Sequence, residues 1–101
     1  MNIIICKPNQ PPYIKTINGK YDEMVNVVGS SLKPLSMNHD SIIIMCNESL
    51  YESEKDHWKH RMNIPGIFFF VGREKNRLRS LTVDEIEDIF DTIRREDLTV
   101  V

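Results

Sequence analysis

SIIIMC, residues Ser41 to Cys46, is the stretch that decides the fold. It is a short unbroken apolar run, entered from the turn MNHD (Met37 to Asp40) and left through Asn47-Glu48. A run this short reads as a strand rather than a core helix. Strands in a sheet with one wet face alternate apolar and polar residues. SIIIMC does not alternate, and neither do NIIIC (Asn2 to Cys6) or IFFFV (Ile67 to Val71). Such strands predict a sheet covered on both faces.

Working outward, NIIICK is a β-branched strand, and KPNQPP after it is a loop because its prolines lack donors and restrict their predecessors. PYIKTI alternates, with Tyr13, Lys15 and Ile17 on one side and Ile14 and Thr16 on the other. It reads as the second strand of a hairpin, lying toward an edge. After Asn18-Gly19, residues Tyr21, Met24, Val25 and Val28 recur at helical spacing, and Gly29 supplies the stop. Leu32 to Leu35 is a brief strand that Pro34 confines to or near an edge. From Asn47 to Asn63 no period is visible, and the segment reads as a polar excursion with room for one helical turn. REKNRLRS, Arg73 to Ser80, reads as a basic connection.

The final helix carries the strongest signals. Thr82 and Glu85 form a capping box, with Leu81 and Ile86 as its hydrophobic staple. Asp84 and Glu85 lie at the positive helix end and Arg94 and Arg95 at the negative end. Val83, Ile86, Ile89, Phe90 and Ile93 form the expected buried stripe. The order ββαβββα predicts a single α+β domain over residues 1–101, with a mostly antiparallel five-stranded sheet and two helices. Two short helices cover one face. The other face then needs a second copy of the chain, giving a symmetric homodimer. The competing expectation is that the excursion folds back over it, with Trp58 and Met62 as plugs.

Hydrophobic content of 41% and charged content of 28% fit a soluble globular domain. No apolar run is long enough to span a bilayer. The start shows no basic segment followed by a long apolar stretch, so no signal peptide is expected. Cys6 and Cys46 sit inside apolar runs and suit buried free thiols in a reducing cytosol. A cytoplasmic location is therefore expected.

The net charge of −2 hides an asymmetry. Residues 55–79 hold seven lysines and arginines against two acids, a local balance of +5. Residues 82–97 hold two arginines against seven acids, a balance of −5. DHWKHRMN, Asp56 to Asn63, concentrates two histidines and the only tryptophan in the basic part. His57 and His60 are spaced for one side of a helical turn, but a zinc site wants three or four ligands. Glu48 and Glu52 would pair as acid and base only if a turn aligned them. No metal, cofactor or catalytic residue is expected, and the protein is not expected to be an enzyme. Guanidinium groups suit phosphate, and an indole adds a stacking surface. The candidate ligand-binding set is therefore Trp58, His60, Arg61, Asn63, Arg73, Lys75, Arg77 and Arg79, with Tyr51 as a further stacking ring. The plain alternative is a solvated basic rim that protects a sheet edge. Duplex nucleic acid is disfavoured, because no reading helix is visible and the acidic last helix repels the backbone.

KPNQPPYIKTI, the VVG at Val27 to Gly29, IIIMCNE, MNIPGIFFFVG and RSLTVDEIEDI occur here in that order. Together they resemble a family of small proteins grouped as a domain of unknown function and carried by phages, prophages, plasmids and conjugative elements. The likeness covers nearly the whole chain. It departs at 49–62, where YESEKDHWKHRM stands in place of a short Gly- and Asn-rich connection. The resemblance implies an accessory protein of a mobile element in a bacterial host, with a counter-defence role. Two functions are expected from it. One is sequestration of a phosphorylated, cyclic nucleotide signal. The other is a protein–protein inhibitor or adaptor that masks a host defence effector such as a CRISPR nuclease.

Overall fold

The structure, a computed structural model, describes residues 1–36, 41–54, 64 and 66–96. The elements run β1 (Asn2–Cys6), β2 (Tyr13–Thr16), α1 (Tyr21–Val28), β3 (Leu32–Ser36), β4 (Ile42–Asn47), α2 (Glu48–Glu54), β5 (Phe68–Glu74), β6 (Arg77–Arg79) and α3 (Val83–Glu96). Every strand pairing is antiparallel, in the order β2-β1-β5-β4-β3. β6 pairs with β5 off this path. The α+β class and the mostly antiparallel sheet are as the sequence predicts, and both predicted edge strands, β2 and β3, lie at the edges.

Two elements go beyond the expectation. α2 forms where no period is visible, because Asn47 caps it: the Leu50 N–H donates to Asn47 Oδ1 at 3.0 Å. The Asn47 amide also donates to the Val28 carbonyl at the end of α1, at 3.1 Å, so one side chain joins two helix termini. β6 lies inside the supposed basic connection. Gly72 pairs with Ile42 of β4 on one flank and with Arg79 of β6 on the other. β1 pairs with Phe68 to Phe70 on that second flank. β6 therefore continues the line that β1 leaves. The Asn2 N–H donates to Ser80 Oγ at 2.8 Å, and the Leu81 N–H donates to the Asn2 carbonyl at 3.0 Å, closing the joint.

The apolar strands bury both their faces, since alternate residues point opposite ways. Ile4, Ile44, Phe68, Phe70 and Ile89 share one core, against which Tyr51 of α2 and Ile86, Phe90 and Ile93 of α3 pack. Ile3, Ile5, Phe69 and Val71 share the other with Met24 and Val28 of α1. The expectation that two helices share one face is thus corrected: α1 takes one face, and α2 and α3 take the other. Because the chain's own helices pack on both faces, the second face does not require a second copy for its cover. Trp58 and Met62, the plugs of the competing expectation, lie outside the described residues, while buried Ile64 and half-buried Tyr51 do pack on the α3 face. Two stripe residues are corrected as well. Val83 is 71% exposed and Tyr21 is 58% exposed, since each occupies the first turn of its helix, beyond the sheet's cover.

α3 is anchored by a compact polar joint. The capping box is present: Thr82 N–H donates to Glu85 Oε1 at 2.9 Å, and Glu85 N–H donates to Thr82 Oγ1 at 3.1 Å. Glu85 also accepts both terminal nitrogens of Arg79, at 2.7 and 2.8 Å. The same guanidinium donates to the Ser80 carbonyl at 2.9 Å and, at 3.4 Å, to the Ser41 carbonyl just before β4. It reaches them by crossing over Gly72. A Cβ at Gly72 would collide with the guanidinium and approach the Arg79 carbonyl to 3.0 Å. The Arg79 hydrogen bonds hold the Glu85 carboxyl down to about 2, against the opposing effect of burial.

Two outcomes follow from this joint. Because the carboxyl titrates lower in the folded protein than in the unfolded one, its contribution is complete above the ordinary range near 4.5 and is lost as pH falls toward 2. Urea unfolding across that window should show the native protein losing on the order of 2–3 kcal/mol from this group, a loss that Glu85→Gln does not show. Equal acid sensitivity of the two proteins contradicts the assignment. Gly72→Ala should lower stability by about 1–3 kcal/mol, through displacement of the guanidinium, in the same measurement.

Candidate functional site

The β5–β6 hairpin carries four of the residues singled out by charge. Opposed residues in an antiparallel pair share a face. Gly72 faces with Arg79, Arg73 with Leu78, and Glu74 with Arg77. Leu78 packs in the α1-side core, so Arg73 belongs to that face. Arg77 and Arg79 belong to the α3 face. Arg79 is committed to Glu85, which raises its already high pKa further through their hydrogen bond. The hairpin therefore divides the predicted cluster. Arg77 and Lys75 are exposed at its end, Arg79 is held inside the α3 joint, and Arg73 is on the opposite face. Trp58, His60, Arg61 and Asn63, the other members of the candidate set, lie outside the described residues.

The turn of this hairpin is Lys75-Asn76. Lys75 has φ +57, in the left-handed region where two-residue hairpin turns favour glycine or asparagine. A shallow hollow of about 460 Å³ is lined by residues 74–79.

A second basic hollow was not singled out by the sequence. It lies between β1, β2 and α1, has a volume of about 300 Å³, and is lined by Lys7, Tyr13, Lys15, Glu23 and Asn26 over Ile5 and Val27. Lys7 Nζ stands 5.7 Å from the centre of the Tyr13 ring. The usable signal was the placement of Tyr13 and Lys15 on one side of β2, which meant little until α1 was known to cover that face.

The other chemistry-bearing groups among the described residues form no second cluster with the hairpin cations. Cys6 and Cys46 are buried and free, and burial pushes their thiols up to about 12 and about 11. Thiols so shifted stay protonated and make poor nucleophiles. α2 brings Glu48 and Glu52 to successive turns of one helix side, where both are exposed. Tyr51, a candidate stacking ring, instead packs on the α3-face core with Lys33 Nζ 5.3 Å from its centre. No group of His, Cys, Asp and Glu among the described residues is arranged to hold a metal ion. His57 and His60 lie outside the described residues. No helix among the described residues is long and apolar enough to cross a membrane.

Comparison with curated proteins and with solved structures returns no match in either case. A protein-family model described as a domain of unknown function (DUF3846) matches residues 1–94. On that match, which spans nearly the whole chain and all of its sheet, the protein belongs to the DUF3846 family.

Proposed function

We propose that this chain is a non-catalytic accessory protein of a phage or related mobile element, and that it sequesters a phosphorylated, cyclic nucleotide used as a host defence signal. The tip of the β5–β6 hairpin is the binding surface. One observation carries this placement: the left-handed Lys75, with φ +57. A non-glycine residue there stores roughly 1 kcal/mol of backbone strain. The hairpin thus keeps a cation at a position where glycine would be unstrained, next to the exposed Arg77 and the Asn76 amide. An ammonium attracts phosphate as a point charge, and a guanidinium grips it with paired donors. The hollow of about 460 Å³ is of ligand size. The mobile-element setting and the counter-defence role rest on the sequence resemblance and not on the geometry of the site.

Calorimetry of the full chain against cyclic di- and trinucleotides tests the reading. One member of the panel should bind, and Arg77→Ala should weaken it about tenfold, the size of one charge-assisted hydrogen bond. Lys75→Gly should weaken binding while raising stability by up to about 1 kcal/mol through relief of strain. Silence across the panel, or binding indifferent to both substitutions, contradicts the proposal. A specific host defence protein retained in a pull-down, with no nucleotide bound, would favour masking of an effector instead.

A further inference from the structure

We propose that the hollow between β1, β2 and α1 is a separate binding site for one aromatic phosphate of nucleoside-monophosphate size. Its walls come from two periodicities that the sequence keeps apart. Strand alternation sets Tyr13 and Lys15 opposite Ile5 and Ile3, on the face that α1 covers. Helical spacing places Glu23, Asn26 and Val27 on neighbouring turns of α1. The turn after β1, in which the Gln10 N–H donates to the Lys7 carbonyl at 3.2 Å, leaves the Lys7 ammonium over the Tyr13 ring.

An edge strand often carries a lysine simply to discourage pairing with other chains, and β2 is an edge strand. That accounts for Lys15. It does not account for a second lysine brought from another segment, an exposed aromatic ring between the two, and a helix wall opposite. Among the described residues no carboxylate forms an ion pair with Lys7 or Lys15. Glu23 lines the hollow, and its Oε1 accepts the Asn18 N–H at 2.5 Å.

The chemistry of the walls selects the ligand. Two ammonium groups take up an anion. The Tyr13 ring offers a flat apolar surface, and aromatic rings stack on one another in offset fashion. Asn26 and Glu23, on the α1 wall, offer acceptors to a hydroxyl or amino group. A volume of about 300 Å³ lies at the lower limit for ligand sites, which suits one nucleotide and not two. The assignment is independent of the hairpin reading, whose ligand is larger and whose cations stand on another part of the sheet.

The experiment is an amide NMR titration of the full chain with adenosine 5′-monophosphate, and with inorganic phosphate as the control for the anion alone. Saturable shifts should cluster at Lys7, Tyr13, Lys15 and Asn26, with phosphate binding more weakly. Lys7→Ala combined with Lys15→Ala should weaken the monophosphate about tenfold or more. Tyr13→Leu should remove the preference for the nucleotide over phosphate. Lys75→Gly should leave all of this unchanged. These side chains lie at the surface, and the spectrum itself reports that each variant is folded. Absence of shifts in this cluster at millimolar nucleotide, or shifts that survive the double lysine substitution, overturns the assignment. So does equal affinity for nucleotide and phosphate, which would reduce the hollow to a bare cationic edge.

Discussion

The ion pair between Arg79 and Glu85 fixes the last helix to the sheet. It joins three pieces of chain that share no regular hydrogen bonding: the short strand β6, the first turn of α3 and the entry to β4. Glu85 serves at once as a helix cap and as the partner of a guanidinium, and Gly72 leaves the space through which that guanidinium passes. Such a pair need not outperform two apolar residues of the same shape. Removing one partner is another matter, because the remaining charge is left partly desolvated over the sheet. The joint therefore specifies where α3 lies more than it adds raw stability.

This joint also shapes what the surface offers to a ligand. A count of positive residues in the hairpin suggests one cluster, but strand alternation and the ion pair break that cluster apart. Arg79 works inward, Arg73 belongs to the opposite face, and Lys75 and Arg77 are left at the tip. Meanwhile α1, by covering only the α1-side core, builds a hollow against the edge strand β2. Among the described residues, the hairpin tip and the hollow beside Tyr13 are thus small basic surfaces in different places. The buried thiols of Cys6 and Cys46, kept neutral by burial, add no charge to either surface.

Much of this fold was legible in the chain. The apolar runs around Ile4, Ile44 and Phe69 mark β1, β4 and β5 because only a sheet covered on both faces tolerates them. Thr82 with Glu85, and Gly29 after α1, mark helix ends through local hydrogen bonding and through the left-handed φ of +86 that glycine adopts freely. Other features were hidden for physical reasons. α2 is seven residues long, too short to display a period, and depends on the Asn47 cap. β6 is three residues long and reads as charge. The role of Arg79 required knowing that Gly72 stands opposite, a pairing of register rather than of composition. Of the candidate site, the exposed positions of Lys75 and Arg77 were legible. The division of the cluster and the hollow beside Tyr13 were not, since both follow from which face each helix covers.

A double-mutant cycle on stability measures the coupling between Arg79 and Glu85. Arg79→Met, Glu85→Gln and the combined variant would be unfolded in urea at neutral pH, and the coupling extracted from the four free energies. If the ion pair holds α3, the two single losses together exceed the loss in the combined variant by a coupling on the order of 2 kcal/mol. Losses that simply add would mean that the two side chains act independently, and that α3 is positioned by its apolar stripe alone.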